Sequence, residues 1–350
     1  MRQYFLPESG GAFKANLHCH STVSDGRLTV GEIKAHYMKN GYSIVAYTDH
    51  DVLLAHDELN EEGRFLALHG YEMEVNEENF TGLRAGGLTF GSPKTAHICM
   101  IAKSPDNLTQ VCYNKDRYIW GNALAYKPVL SFESDDYIRR YSHEGVSEMM
   151  RIGREHGFFV TYNHPTWSME SYPDYSGYEG MHAVEIYNTG CERVGYNEYN
   201  DHCYDDLLRQ GKRIYCLATD DNHNGQPLGS PLDDSCGGWV VVRCEKLEYA
   251  CVMDALERGS FYASTGPEIH SLWAEDGVLH VTTSPAHRIN FITGARHTSS
   301  AGRHYAETVT EASFRVDFKR DGYVRVDVID EHGEHANSNA IWVDTLAAGE

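Results

Sequence analysis

Phe13-Lys-Ala-Asn-Leu-His18-Cys-His20 is followed, one helix-length later, by Ser43-Ile-Val-Ala-Tyr-Thr48-Asp49-His50-Asp51. Both are short apolar runs that end in histidine or carboxylate. Between them stands Thr29-Val-Gly-Glu32, a capping box. Its hydroxyl and carboxylate, three residues apart, can satisfy each other's backbone N–H groups. It opens a helix that stops near Gly41. The unit is therefore strand, helix, strand, and a crossover of that length joins parallel strands.

The same rhythm continues outward. Further strand candidates are Phe65–Gly70, Ala96–Ile101, Gly157–Tyr162, Ala183–Tyr187 and Arg213–Ala218, with helical spacing over Gly145–His156 and Tyr196–Gly211. Together with Phe13–His18 and Ser43–Thr48 they predict an α/β fold on a parallel sheet, open or closed into a barrel. The connection Ser104–Gly145 is longer than such loops need. Connections of that length usually carry function. This one offers Tyr113, Lys115, Arg117, Tyr118, Trp120, Tyr126 and Lys127, and is expected to close over the site as a lid. After Ser264-Thr-Gly-Pro267 the pattern becomes alternating: Ser271–Trp273, Val278–Thr283, Ile289–Thr293, Ser313–Lys319, Tyr323–Ile329 and Ala340–Val343, separated by turn signals such as Glu275-Asp-Gly277. The chain is thus read as a large α/β domain over 1–267 and a small antiparallel, sandwich-like β domain over 268–350.

Charge narrows the function. Thirty Lys and Arg face 51 Asp and Glu, a formal charge of −21. That argues against a basic nucleic-acid surface or an anionic membrane surface, so no stable nucleic-acid partner and no membrane are expected. No apolar run reaches about 18 residues, and the first residues lack the apolar core of a secretory signal. The nine cysteines are scattered and never paired as CxxC, which fits free thiols in a reducing cytoplasm. No feature of the sequence speaks to oligomeric state.

Histidine, at 20 residues, is the departure from the ordinary. In a strand, positions i and i+2 share a face, so His18 and His20 point together and Cys19 points away. Ser24-Asp25-Gly26 follows as a turn with a further carboxylate. Asp49, His50 and Asp51 put two acids around one imidazole, which is costly unless a cation or hydrogen bonds compensate; a helix N-cap by Asp49 or Asp51 is the other use, and both can hold, with His50 as ligand and one Asp as cap. Glu72 ends the third strand, and Glu74 shares its face. His97 opens an apolar strand instead of ending one. Pro165 stops a strand at His164. Thr219-Asp220-Asp221-Asn222-His223 repeats the i, i+2 pattern at Asp221 and His223, with Asp220 a competing carboxylate. A rim of nitrogen and oxygen ligands without cysteine suits zinc, manganese or iron. Nine ligands exceed one tetrahedral site, so two or three divalent ions are implied.

His18-x-His20, Ser24-Asp25-Gly26, Thr48-Asp49-His50-Asp51, Gly70-x-Glu72, His97, His164-Pro165 and Asp221-x-His223 resemble the polymerase-and-histidinol-phosphatase (PHP) family over residues 13–225. The resemblance implies a distorted seven-stranded (β/α) barrel and a trinuclear centre. By carry-over, His18, His20, Glu72 and Asp221 hold one ion, Glu72, His97 and His164 a second, and Asp25, His50 and His223 a third; Asp25, His50, Glu72 and His223 are the expected catalytic set. Family members usually read Gly-Ser-Asp-x-His where this chain has Thr219-Asp-Asp-Asn-His223. Ser264-Thr-Gly-Pro267 and the closing Asn337-Ser-Asn-Ala-Ile-Trp-Val also resemble the branch related to a carbamate-insecticide (carbaryl) hydrolase. The expected activity is a phosphoesterase in which a metal-activated hydroxide attacks a small phosphorylated metabolite or nucleotide. The alternative is a carboxylic ester, carbamate or amide hydrolase on the same site. Arg117, Arg139, Arg140 and Arg193 are candidate phosphate-reading cations. His270, His280, His287, His297, His304, His332 and His335 lack acids at a strand end and are not expected to bind metal.

Overall fold

The computed structural model describes residues 2–80, 82–85, 87–302 and 308–346; His304 and the last four residues of the expected β domain lie outside them. Seven strands lie side by side in chain order: β1 (Gly11–Asn16), β2 (Ile44–Tyr47), β3 (Leu66–Asn76), β4 (Thr95–Ala102), β5 (Phe158–Tyr162), β6 (Ala183–Asn188) and β7 (Tyr215–Thr219). β1, β2 and β3 pair parallel, as do β5, β6 and β7. The expected all-parallel order fails at β4, which runs antiparallel to both β3 and β5. Among the described residues no helix joins β3 to β4, and a return without a crossover pairs strands antiparallel. Beyond β1 and β7 the run meets itself. Cys19 and Asn222 form a parallel bridge, Asp221 N–H donates to His18 O at 2.9 Å, and His20 N–H donates to Asn222 O at 3.1 Å.

Helices cover the outside. α1 (Val30–Lys39) starts at the predicted capping box and buries Ile33 and Tyr37. α2 (His143–Glu155) starts two residues before its predicted position, capped by Ser142. α3 is shorter than its pattern suggested, Asp201–Arg209, because Tyr199 is held extended by a bridge to Tyr187. α4 (Tyr249–Arg258) ends at Gly259, whose φ of 71° a side chain would strain. Strands and helices enclose one apolar cluster that includes Ile44, Leu68, Met100, Phe158, Val184 and Leu217.

The sheet does not stop at β1. β8 (Trp239–Cys244) pairs antiparallel with β1, and β9 (Phe261–Ser264) with β8. Labelling the remaining strands β10 (Ile269–Glu275), β11 (Val278–Ala286), β12 (Arg288–Thr293), β13 (Val309–Arg315), β14 (Tyr323–Ile329) and β15 (His335–Ser338), the order continues β9, β15, β14, β12. A separate four-stranded antiparallel sheet contains Gln3–Tyr4, β10, β11 and β13. Leu272, Leu279 and Val281 share a second apolar cluster with Phe291, Val324, Val326 and Val328, joined by Leu6 and Tyr262. β13 lies four residues before the expected Ser313–Lys319, because Asp321 is fully buried and takes the N–H of Asp317 at 2.7 Å, turning the chain there. One buried ion pair crosses from α3 to β14: Arg325 grips Asp205 through Nε at 2.7 Å and a terminal nitrogen at 3.0 Å. No helix among the described residues is long and apolar enough to cross a membrane.

Candidate metal centre

Period-2 alternation builds the first part of the site. Where the chain leaves β1, Cys19 packs outward with Ile33 and Tyr37, so His18 and His20 turn inward. Their Nε2 atoms lie 3.2 Å apart. Asp221 Oδ1 stands 3.2 Å from His18 Nε2 and 3.0 Å from His20 Nε2. Glu72, from β3, reaches the same two nitrogens at 3.2 and 3.3 Å. Its Oε1 also lies 3.1 Å from His97 Nδ1 and 3.4 Å from His164 Nε2. The reversal of β4 explains His97: the start of an antiparallel strand lies at the same rim as the ends of its parallel neighbours. On the other side, Asp25 Oδ2 is 3.5 Å from His223 Nε2 and 3.9 Å from His50 Nε2, and the His20 ring stacks on His223 with centroids 4.3 Å apart.

All nine sequence-predicted residues therefore meet in one place. They fall into sets of His18, His20, Glu72 and Asp221; Glu72, His97 and His164; and His20, Asp25, His50 and His223, with ligand atoms in each set within 4.8 Å of one another. Donors held roughly 2.0–2.3 Å from one ion stand about 3.0–3.6 Å apart, which is the spacing around Glu72 and Asp221. Two buried polar atoms, His50 Nδ1 and Asp221 Oδ1, make no hydrogen bond among the described residues. Asp221 Oδ1 faces the Nε2 atoms of His18 and His20, and a buried acceptor left unsatisfied among such ligands fits a cation.

The electrostatics say the same. Burial alone would strip the proton from His18, His20 and His164, but Asp221 and Glu72 outweigh it and hold all three raised, His164 to about 9. His50, buried and beside His20, is pushed down to about 3. Burial favours the neutral acids, yet the surrounding imidazoles hold Glu72, Asp221 and Asp25 well below the usual carboxylate range. Carboxylates this acidic, packed against imidazoles, can exchange protons for a divalent ion. Asp51, His164 and Asp221 also carry left-handed backbone, with φ of 56°, 27° and 50°, a strain that clusters at functional sites. Gly26 lets the Asp25 turn close: a Cβ there would stand 2.5 Å from His20 O.

Neighbouring acids divide the labour. Asp220 faces away, accepting from Tyr37 and Thr189 hydroxyls at 2.7 and 2.8 Å and from the N–H groups of Cys236, Gly237 and Gly238. Asp221 faces the cluster. Glu74 touches only its edge, 3.5 Å from His97 Nε2. Neither Asp49 nor Asp51 caps a helix. Asp49 ties the His20–Ser24 loop through Ser21 and Ser24, and Asp51 pairs with buried Arg139. Glu185 was not predicted. It sits in the apolar strand β6, 2.7 Å from His18 Nδ1, and accepts from Thr219 and Asn188 side chains and from His164 N–H. Its carboxylate holds His18 Nδ1 and so turns Nε2 into the cluster. The only sequence signal was a charge inside AVEIYN.

The cleft above the cluster has a volume of about 510 Å³. From the Ser104–Gly145 segment, Trp120 alone lines it. Of the four candidate cations, Arg193 does, together with Trp167, Val194, Gln226 and Leu232. The expected lid thus contributes one residue. The one-turn helix Thr189–Arg193 and the loop after β7 contribute more.

No family model matches the chain. A 5′-3′ exoribonuclease of Haemophilus influenzae is 34% identical over 80 residues, covering 22% of this chain and 29% of that relative. Among solved structures, a two-domain protein from Bacteroides vulgatus containing a predicted PHP-like metal-dependent phosphoesterase is similar at 16% identity and a TM-score of 0.41, with 94% of each chain covered. A putative metal-dependent phosphoesterase of Bifidobacterium adolescentis gives 16% and 0.37 over 66% of this chain and 94% of that one. An amidohydrolase of Chromobacterium violaceum with bound sulfate gives 14% and 0.34 over 63% and 93%.

Proposed function

We propose that the chain is a metal-dependent phosphoesterase of the PHP type, acting on a small phosphorylated molecule at a di- or trinuclear centre. The observation that carries this reading is the sharing of Glu72 between two donor sets, His18, His20 and Asp221 on one side and His97 and His164 on the other. A carboxylate can bridge two ions, and paired ions suit phosphoryl transfer. Bound divalent ions would supply Lewis acidity and lower the pKa of water. The chain's own residues do the positioning. His18, His20, Glu72 and Asp221 would hold one ion, His97 and His164 a second with Glu72, and Asp25, His50 and His223 a third. Glu185 orients His18, and the Asp49 hydrogen bonds fix the loop that carries Asp25. In this reading the seven strands act as a distorted barrel presenting its ligands at one rim. Residues 1–267 form the catalytic unit, and the described residues of 268–350 supply none of the ligand sets.

The alternative is hydrolysis of a carboxylic ester, carbamate or amide, and it is favoured by a cleft wall with Arg193 as the one Lys or Arg among its described lining residues. One screen separates the two. Protein loaded in turn with zinc, manganese and iron is given phosphomonoesters, phosphodiesters and carboxylic esters, with bound metal counted. Two or three ions and phosphoester turnover are expected. Turnover confined to carboxylic esters would replace the first reading with the second, and a failure to bind metal under replete conditions would end both.

A further inference from the structure

We infer, resting on the reading of the cluster as a phosphoesterase centre, that the group beyond the scissile phosphate is flat and apolar, an aryl or comparable ester, without further phosphates. Trp120 packs its ring 5.8 Å from that of His50, and Trp167 stands 5.3 and 5.1 Å from His97 and His164. Both indoles therefore rise directly from the candidate ligands. Val194 and Leu232 line the same cleft. Trp120, Val194 and Leu232 are 45%, 68% and 52% exposed. Apolar surface gathered around a polar centre is the mark of a ligand that covers it.

Charge points the same way. Of the lining acids, Asp25, Glu72 and Asp221 belong to the donor sets that would hold the ions; Glu74 and Asp234 do not, and Arg193 is the one Lys or Arg among the described lining residues. Arg193 Nε donates to Asp233 O at 3.1 Å, and among the described residues no carboxylate pairs with it. It can meet one acceptor. Beyond the metal ligands, a substrate with a second phosphate would find one guanidinium against the carboxylates of Glu74 and Asp234. Elsewhere in the long segment, Lys115 is paired with Asp135 and Lys127 bonds to Lys115 O, and neither lines the cleft.

Two non-hydrolysable probes test this. Phenylphosphonate and methylphosphonate are titrated calorimetrically into the metal-loaded full chain, and turnover of phenyl and methyl phosphate is measured alongside. The wild-type protein should prefer phenylphosphonate by about tenfold, the scale of one stacked ring. Trp120→Ala should reduce the preference to about threefold or less, and Trp120→Phe should keep most of it. Equal affinities in the wild-type protein, a preference that survives Trp120→Ala, or failure of both phosphonates to bind would overturn the inference. A phosphonate preference without turnover of either ester would remove the phosphoesterase reading and leave the apolar wall standing. Turnover of both esters without a phosphonate preference would do the reverse.

Discussion

Histidines meet carboxylates at two ends of this molecule. At the rim, His18, His20, His50, His97, His164 and His223 share four acids, Asp25, Glu72, Asp221 and Glu185. In the C-terminal sheets, His297 meets Asp321 at 2.8 Å and His335 meets Asp327 at 2.8 Å, each as a single pair. A lone pair of this kind is satisfied by one proton: burial alone would lower His335, but Asp327 outweighs it and holds it raised. At the rim one carboxylate faces several imidazoles, two buried atoms have no hydrogen-bond partner among the described residues, and protons alone leave the geometry incomplete. What separates a candidate metal centre from an ordinary ion pair is therefore convergence, and the count of histidines does not decide it.

The sharpest way to break the comparison is at its two carboxylates. Glu72→Ala should lower turnover by at least about a hundredfold and release more than one ion per chain. Asp327→Ala should leave the metal count unchanged. Elemental analysis of both purified variants checks this. If Glu74→Ala strips the metal and Glu72→Ala does not, the bridge has been given to the wrong acid.

The two ends are joined by Arg325 and Asp205, both buried. Asp205→Ala leaves a guanidinium in the interior without its partner and should cost about 3–5 kcal/mol in denaturant unfolding. The folded fraction should keep its ions. A loss below about 1 kcal/mol would mean that water or Asn337, 3.0 Å from Arg325, can replace the carboxylate.

Glu185→Gln tests the rim from behind. Its Oε1 anchors His18 Nδ1 at 2.7 Å, and removing such a partner weakens metal binding by about 10–100-fold. Competition with a chelator reads the affinity, and unfolding in the presence of that chelator reads stability. Unchanged affinity with reduced stability would make Glu185 a packing residue only.

Much of this was legible from the chain because the strand period is short. HxH at the end of β1 and DxH after β7 place side chains by parity alone, and Pro165 marks a strand end. The reversal of β4 was not legible, since direction depends on how a connection returns, and nothing near His97 encodes it. Asp220 and Asp221 could not be told apart locally. Their difference lies in N–H groups from residues 236–238, some sixteen positions away in sequence. Glu185 was hidden inside an apolar strand. The stretch with β8, α4 and β9 was passed over, although WVVVRC and FYAS are apolar runs that extend the sheet.

The smallest expected effect concerns a carboxylate near the rim that meets no cation. Glu170 closes the loop carrying His164 and Trp167, with its N–H on Pro165 O at 3.0 Å. Its oxygens accept from Tyr162 at 2.5 Å, Tyr141 at 2.8 Å and Tyr178. Burial raises its pKa to about 7, more than the three hydroxyls can offset. Glu72, still more deeply buried, goes the other way because imidazoles surround it. Neutral donors and cationic ones thus set opposite charge states in one region. For Glu170 the folded state binds the proton more tightly than the unfolded state, so its contribution to stability is complete below about pH 4.5 and is lost as pH rises through about 7. The slope cannot exceed about 1.4 kcal/mol per pH unit for one proton. Glu170→Gln keeps a neutral acceptor and should lack this loss, so its stability should rise relative to wild type between pH 5 and 7.5, measured by urea unfolding at constant ionic strength with a chelator present. Parallel profiles for the two proteins would show that Glu170 is already charged at pH 5, and that the tyrosines stabilise its anion as effectively as cations do at the rim.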